Sequence, residues 1–163
     1  MIVRVNQDNI DEYENFIKRH PKGLFQHSSK WAKVKSAWKF EAVMLKDESG
    51  EIKGSASVLI RSIPVIKNSL MYCCRGFVCD ENDFDTFDKL FNALLELGKE
   101  YKAYCIKIDP EIVIQNETYK KHLIEKGFIE LNPGCMDFEN VQPRFVYCFD
   151  YNGMNEDELM LTF

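Results

Sequence analysis

The sequence predicts one α+β domain in which a mixed, mostly antiparallel sheet is flanked by helices. Three observations support this prediction. Apolar residues recur at helical spacing between Phe84 and Gly98, two short apolar runs are separated by an acidic turn that contains Gly50, and another apolar run over 103–109 follows the long helix. Hairpins and helices in this order, without repeats or low-complexity segments, are typical of a single layered domain.

Two helices are predicted in the first 36 residues. The first has apolar residues at helical spacing, which are Ile10, Tyr13, Phe16 and Ile17. Asp8 is its predicted N-cap and Pro21 ends it. Ser28 or Ser29 is the predicted cap of a second, short helix. Trp31 and Lys35 are four residues apart in that segment, so they share one helical face.

The middle of the chain predicts a hairpin, a third strand and a long helix. Strands are expected over 42–45 and 56–60, joined through an acidic turn at 47–50, and over 70–74. The long helix has one apolar stripe, made of Phe84, Phe87, Leu90, Phe91, Leu94, Leu95 and Gly98. A strand over 103–109 follows, and then a helix over about 116–126 with Gly127 as its predicted C-cap.

The C-terminal residues predict another strand and the start of another helix. The strand is expected over 145–150. Asn155 is the predicted N-cap of the helix, acidic residues fill its first turn, and an apolar face begins at Leu159. A helix this short is not stable alone. We therefore expect a first domain over residues 1–153, followed at 154–163 by the start of a helix that leads into a second domain of a longer protein.

The charge and the N-terminus exclude several classes of protein. The net charge of −5 argues against a broad surface for duplex nucleic acid, although it is compatible with a local basic pocket. Residues 1–8 lack the apolar core of a secretory signal, and no apolar run reaches the length that crosses a bilayer. These features predict a cytoplasmic protein.

The six cysteines are predicted to be reduced thiols that act as small apolar side chains. None of them forms a CxxC pair, and the chain has only three histidines that could complete a metal site. A zinc site and a catalytic cysteine are the less favoured alternatives, because the ligand spacing of known zinc sites is absent. The cysteines are Cys73, Cys74, Cys79, Cys105, Cys135 and Cys148.

Several polar residues lie at the ends of predicted strands or on the short helix. Asp109 ends a strand, where a carboxylate can reach a cleft, although Asp before Pro also commonly begins a turn. Arg75 precedes a glycine and can clamp a phosphate or carboxylate, or be solvated. Lys33 and Lys35, beside Trp31, can bind phosphate under an aromatic side chain or form a solvated helix face.

No nucleotide-binding loop, catalytic triad spacing or metal-ligand motif is present. Residues 142–144 (Gln-Pro-Arg) precede the last predicted strand and have the composition of a stiffened loop. The order of strands and helices is compatible with the sheet of GNAT acetyltransferases. However, the Gly/Gln/Arg-rich pyrophosphate loop that usually binds acetyl-CoA in those enzymes is not evident between a strand and a helix.

Five segments, in order along the chain, resemble the FemABX family of peptidoglycan bridge-forming aminoacyltransferases. Each segment is short, but their order and spacing extend over nearly the whole chain. One departure is Phe77, where the family usually has proline. The segments are Trp31-Ala32-Lys33-Val34-Lys35 with Trp38 after it, Asp47-Glu48-Ser49-Gly50, Tyr72-Cys73-Cys74-Arg75-Gly76-Phe77-Val78, Ile106-Lys107-Ile108-Asp109-Pro110-Glu111 and Gln142-Pro143-Arg144.

The resemblance implies two GNAT-like domains in the full protein, of which this chain is the first. It also implies transfer of an amino acid from aminoacyl-tRNA to the stem-peptide or bridge amine of a muropeptide precursor, which is lipid-linked or UDP-linked. No cofactor is implied beyond the aminoacyl-tRNA donor. The tRNA is expected to bind through the second domain, and peripheral association with the membrane is compatible with a lipid-linked precursor. The fragment alone is expected to be inactive.

The resemblance also implies roles for individual residues. Lys35 matches the family lysine that binds the phosphates of the precursor, with Trp31 beside it. Arg75, Tyr104 and Asp109 match positions that line the cleft, and Asp109 is the candidate for orienting or deprotonating the amine. Two alternatives remain open. One is a GNAT-type N-acetyltransferase that uses acetyl-CoA, and the other is a precursor-binding domain without catalytic activity.

Overall fold

A computed structural model describes residues 1–65, 67–113, 115–131, 149–151 and 153–161. Contacts within the chain divide it into two units, Met1–Ile129 and Glu130–Phe163. None of the helices in the described ranges combines the length and apolar character needed to span a bilayer.

The first unit contains a five-stranded sheet. Its strands are β1 (Ile2–Arg4), β2 (Lys39–Lys46), β3 (Ile52–Ile63), β4 (Asn68–Cys73) and β5 (Ala103–Ile108). They lie in the order β1-β2-β3-β4-β5, with antiparallel pairing from β1 to β4 and parallel pairing between β4 and β5. The predicted mixed, mostly antiparallel sheet is therefore confirmed, and so is the hairpin that joins β2 to β3.

Four α-helices belong to the same unit. They are α1 (Ile10–Arg19), α2 (Ser29–Val34), α3 (Phe84–Glu100) and α4 (Glu117–Glu125), and a 3-10 helix, Phe25–His27, precedes α2. Their ends follow the capping residues in the sequence. Ser28 accepts the amide of Lys30, Asp83 accepts the amide of Thr86, and Gly127 follows α4 with φ +88°.

Helices pack on both faces of the sheet, because alternate residues of a strand point to opposite sides. On one face, Phe87, Leu90 and Leu94 of α3 form a core with residues such as Val58 and Met71. On the other face, Tyr13 and Ile17 of α1 pack with Ala42, Met44 and Val78. Leu95, predicted as part of the α3 stripe, is 40% exposed and lies at its edge.

The structure corrects two details at the N-terminus. Strand β1 was not predicted, because three residues are too few to show alternation, and it forms only by pairing with β2. The N-cap of α1 is Asn9 rather than Asp8. The Asn9 side chain makes no capping bond; its Oδ1 accepts the amide of Asn6 at 2.8 Å and its Nδ2 donates to the carbonyl of Arg4 at 3.0 Å. These bonds fix the turn between β1 and α1.

The second unit contains α5 (Glu156–Met160). Asn155 caps it as predicted, in a reciprocal pair in which Asn155 accepts the amide of Glu158 and Glu158 accepts the amide of Asn155. The predicted strand over 145–150 lies almost entirely outside the described residues, and so does the 142–144 segment. The domain boundary expected at residue 153 therefore stays a prediction.

The cysteines in the described ranges have mostly apolar surroundings. Cys73, Cys74 and Cys79 are buried, whereas Cys105 is exposed on β5. Burial raises the pKa of the Cys79 thiol to about 12 and holds the pKa of the Cys73 thiol well above its usual value. These two thiols are therefore protonated at neutral pH. Cys135 and Cys148 lie outside the described residues.

Candidate functional site

Side chains of β3, β4 and β5 line an accessible face of the sheet opposite α3. Register decides which residues point there, since Arg61 is opposite Leu70, Leu70 is opposite Cys105 and Tyr72 is opposite Lys107. Intervening residues such as Met71 and Cys73 are fully buried against α3. We call the accessible set the open sheet face; it consists of Arg61, Leu70, Tyr72, Cys105 and Lys107, all at least partly exposed.

Arg75 and Asp109 come together where β4 and β5 end. Cys73 pairs with Ile108, so the residues that follow the two strands leave the sheet side by side. The Arg75 amide donates to Asp109 Oδ1 at 2.8 Å. Arg75 has φ +59° and Gly76 has φ +79°, which is a sparsely populated backbone region for arginine. A Cβ atom at Gly76 would lie 3.0 Å from Pro110 Cα, so glycine permits this close approach.

The carboxyl group of Asp109 is only half satisfied. Its Oδ2 is buried and has no hydrogen-bond partner among the described residues. Burial raises the pKa of Asp109, while the Arg75 amide, the nearby Tyr72 hydroxyl and the Arg75 charge act in the opposite direction. This oxygen has unused acceptor capacity, and because it is buried, a ligand N–H or O–H group reaches it only if a neighbouring side chain moves.

We expect Asp109→Asn to stabilise the fold at neutral pH. The amide can still accept the Arg75 N–H, but it carries no charge that must be desolvated. Because the pKa of Asp109 is raised in the folded state, the wild-type protein binds the extra proton when folded, and its stability falls as the pH rises through that pKa. The gain from Asn should therefore be largest near pH 7 and shrink toward acid pH.

Thermal unfolding of both proteins at several pH values measures this gain. Glu111→Gln, at an exposed carboxylate two residues away, is the control and should change the melting temperature little. A lower melting temperature for Asp109→Asn at pH 7 would show that the charged carboxylate stabilises the fold.

Helix α2 positions Trp31 and Lys35 as one unit. Glu14 of α1 anchors its start, because its carboxylate accepts the Ser28 hydroxyl at 2.7 Å and the Ser29 amide at 2.8 Å. Lys35 caps the other end, and its Nζ lies 5.0 Å from the centroid of the Trp31 ring. This cation–aromatic contact holds the ammonium group in place without neutralising it. The predicted pairing of the two side chains on one face is confirmed.

The α2 pair and the Arg75 turn are neighbours. Lys35 and Arg75 both act to lower the pKa of the Cys74 thiol, although burial raises it overall. Cys74 thus lies within electrostatic reach of the two cations. The structure therefore joins Arg75 to Asp109 at the end of the open sheet face, and Lys35 lies within electrostatic reach of the adjoining Cys74.

His27 lies between the α2 segment and the Arg75 turn, and no pattern in the sequence singles it out. It is 1% exposed, its Nδ1 accepts the Leu24 amide at 3.0 Å, and its carbonyl accepts the Tyr13 hydroxyl at 2.6 Å. Burial lowers the pKa of His27 to about 4, against the opposing influence of the Gly76 and Cys74 carbonyls. His27 is thus neutral at pH 7 and packs beside the Arg75 turn.

Tyr104 lies away from the other predicted residues. It is the extra residue of a bulge at the start of β5, between Ala103, which pairs with Ser69, and Cys105. Its side chain is 55% exposed. Asp109 is five residues farther along the chain, which is about 16 Å at the usual rise of a strand. The structure therefore does not bring Tyr104 to Asp109, and its role stays a prediction.

Two further cation–aromatic contacts line the open sheet face. The Arg61 guanidinium lies 5.7 Å from the Trp38 ring centroid, and Lys107 Nζ lies 5.9 Å from that of Tyr72. Side chains alternate between the two faces of a strand, so Tyr72 shares a face with Leu70, and Lys107 shares a face with Cys105. Alternation along the predicted strands could therefore have identified Tyr72 and Lys107.

The charge distribution makes this side of the molecule basic. Residues 15–40 contain seven Lys and Arg, residues 52–79 contain four, and neither segment contains an Asp or Glu. These segments supply Lys35, Arg61 and Arg75. Three other cations of these segments pair with carboxylates from outside them, in the pairs Lys22–Glu81, Lys39–Glu41 and Lys53–Asp47.

Curated proteins of known name are similar in sequence to this chain. The chain is 32% identical to the lipid II:glycine glycyltransferase of Staphylococcus epidermidis over 157 residues and 30% identical to that of Staphylococcus aureus over 160 residues. Each match covers 93% of this chain and 37% of the relative. The chain therefore spans little more than a third of the length of these relatives.

Solved structures show the same fold. The crystal structure of FemX superposes with a TM-score of 0.67 at 30% identity, covering 77% of this chain and 31% of FemX. An aminoglycoside acetyltransferase from an uncultured soil metagenomic sample superposes with a TM-score of 0.62 at 16% identity. The match covers 80% of this chain and 92% of the acetyltransferase chain. The GNAT-like fold is thus confirmed. Residues 9–163 match the FemAB family, and the chain belongs to that family.

Proposed function

We propose that this chain provides the precursor-binding part of an aminoacyltransferase of cell-wall peptidoglycan synthesis. The observation that carries the proposal is the hydrogen bond that joins Arg75 to Asp109 at the end of the open sheet face, with Lys35 within electrostatic reach of the neighbouring Cys74. The relatives support it, because they are named for transfer of glycine to lipid II.

The two cations suit the phosphates of a lipid-linked or UDP-linked muropeptide. Lys35 offers a point charge held by Trp31, and Arg75 offers a planar fork of donors. Among the described residues, neither cation has an ion-pair partner. A diphosphate would therefore not have to displace an internal carboxylate.

Asp109 suits the acceptor amine of the precursor. In aminoacyl transfer from tRNA, the amine nitrogen forms a bond to the ester carbonyl carbon, and the ester C–O bond breaks. The amine loses a proton, and the ribose oxygen of the tRNA leaves with one. Once a side-chain movement exposes it, Oδ2 of Asp109 can accept an N–H of the amine and hold the nitrogen lone pair toward the ester.

The alternative acetyl-CoA function is less well supported. Pyrophosphate binding at a strand–helix junction needs free backbone N–H groups at the helix start. At the start of α3, Asp83 accepts both the amide and the hydroxyl of Thr86, and at the start of α4, Asn116 accepts the amide of Tyr119. Both junctions are thus already capped by side chains.

Titration of the isotopically labelled 163-residue chain with a soluble UDP-linked muropeptide tests the proposal by NMR. We expect shift changes at Lys35, Arg75 and Asp109, and none of comparable size with acetyl-CoA. We also expect the chain alone to give no aminoacyl transfer from charged tRNA, since it spans 37% of its relatives. Shifts confined to the α3 start with acetyl-CoA would favour the acetyltransferase, and binding with loss of activity in every longer form would favour the non-catalytic alternative.

A further inference from the structure

The side of α2 that faces away from Trp31 and Lys35 is exposed and mixed in character. Lys30, Lys33 and Val34 are spaced to share one side of the helix, and all three are exposed, Val34 by 68%. Phe25, in the preceding 3-10 helix, packs edge-on against Trp31 at 5.1 Å and so belongs to the other side. We call Lys30, Lys33 and Val34 the α2 outer surface.

A second exposed segment lies on the same side of the sheet as α2. Arg61 of β3 packs on Trp38, whose amide donates to the carbonyl of Lys35 at the end of α2. Four residues beyond Arg61, the turn to β4 presents Val65, which is 92% exposed, and then Lys67. The described part of this turn thus presents one exposed apolar side chain and one cation.

Charge decides which partner fits the α2 outer surface. The chain has a net charge of −5, yet the 26-residue segment over 15–40 that contains this surface lacks acidic residues entirely. An anionic bilayer complements both the lysines and the apolar residue, because its headgroups attract Lys30 and Lys33 and its interface accepts the exposed Val34. Nucleic acid would use the lysines but would leave Val34 without a partner.

We propose that the α2 outer surface docks on an anionic lipid bilayer. The inference deepens the proposed function and rests on it for the choice of precursor, which it assigns to the lipid-linked class. Lys35 follows Val34 directly, so the phosphate-binding cation lies within about one helix diameter, roughly 10 Å, of the docked surface. A diphosphate that joins a sugar to a membrane-embedded lipid lies at a similar distance from the surface of the bilayer.

Vesicle flotation with the 163-residue chain tests the inference. The chain should bind phosphatidylcholine vesicles that contain phosphatidylglycerol and should not bind phosphatidylcholine alone. The Lys30→Ala/Lys33→Ala double variant should bind about 10- to 30-fold more weakly, since each lysine near an anionic surface is worth about fivefold in affinity. Val34→Ser should weaken binding without changing its salt dependence.

The matched control is Lys120→Ala/Lys121→Ala, which removes two exposed lysines of α4 and the same charge. This variant should bind anionic vesicles as the unchanged chain does. Equal losses in the two double variants would overturn the inference, and so would failure of the unchanged chain to bind anionic vesicles at low salt. Salt-sensitive tRNA binding that is lost in Lys30→Ala/Lys33→Ala would assign the surface to nucleic acid and also overturn it.

Titration with the soluble UDP-linked muropeptide separates this inference from the proposed function. The Lys30→Ala/Lys33→Ala variant should bind the soluble precursor normally; loss of that binding would place the lysines in the cleft and overturn the inference. Vesicle binding by a chain that binds no muropeptide would support docking while refuting the proposed function.

Discussion

Replacement of Phe87 by alanine should lower the free energy of unfolding by about 3–5 kcal/mol, the usual cost of truncating a fully buried phenylalanine. Phe87 is 1% exposed. Its ring lies 4.5 Å from the ring of Phe77, 5.7 Å from that of Tyr119 and 5.3 Å from that of His122. One side chain thus joins α3 to α4 and to the segment that follows the Arg75 turn, and alanine would leave a cavity between all three.

Urea unfolding followed by circular dichroism measures this loss. Leu95→Ala is the matched control, because Leu95 lies on the same helix and is 40% exposed, so its truncation should cost less than about 1 kcal/mol. A similar loss for the two variants would mean that α3 is not anchored through Phe87.

Replacement of Lys35 by alanine should weaken binding of a soluble UDP-linked muropeptide about ten- to a hundredfold. The lost interaction is one charge-assisted contact to phosphate, worth on the order of 1.5–3 kcal/mol. Lys35 is exposed and its ammonium rests on Trp31, so the fold should not change. NMR titration or calorimetry gives the dissociation constant. In a longer, active form, the loss should appear mainly in KM if the contact is equal in the ground and transition states.

Lys33→Ala is the internal control for this measurement. Lys33 is also exposed and lies two residues from Lys35 on a different side of α2. Its replacement by alanine removes the same charge. It should leave binding of the soluble precursor unchanged. If Lys33→Ala were damaging and Lys35→Ala silent, the phosphate site would lie on the other side of the helix.

Much of the fold could be predicted because its signals are local. The α3 stripe, the acidic hairpin turn and the caps at Ser28 and Asn155 each depend on residues a few positions apart. Strand β1 could not be predicted, because it exists only through pairing with β2, about 40 residues later. The strand bounds were also too short, since β2 and β3 extend beyond their most apolar residues.

The candidate site was predictable to the extent that it lies at strand ends. Arg75 and Asp109 follow neighbouring strands, and the structure joins them by a hydrogen bond. Tyr104 was placed by resemblance alone, and a bulge, which depends on register with β4, puts it at the far end of β5. His27 could not have been found, because a single buried histidine acquires its neighbours only when the chain folds.

The neutral His27 sets how the region around Lys35 and Arg75 responds to acid. With a folded pKa of about 4 against an ordinary value near 6.5, this imidazole does not change its charge in the native protein between pH 5 and pH 8. His27 itself therefore keeps one charge state over that range. The cost appears in stability, since the unfolded chain takes up a proton that folded His27 does not, and the contribution of His27 to the free energy of unfolding falls as the pH drops from about 6.5 to 4. Asp109, whose pKa is raised in the folded state, acts in the opposite direction, so the two groups of this region oppose each other in mildly acidic medium.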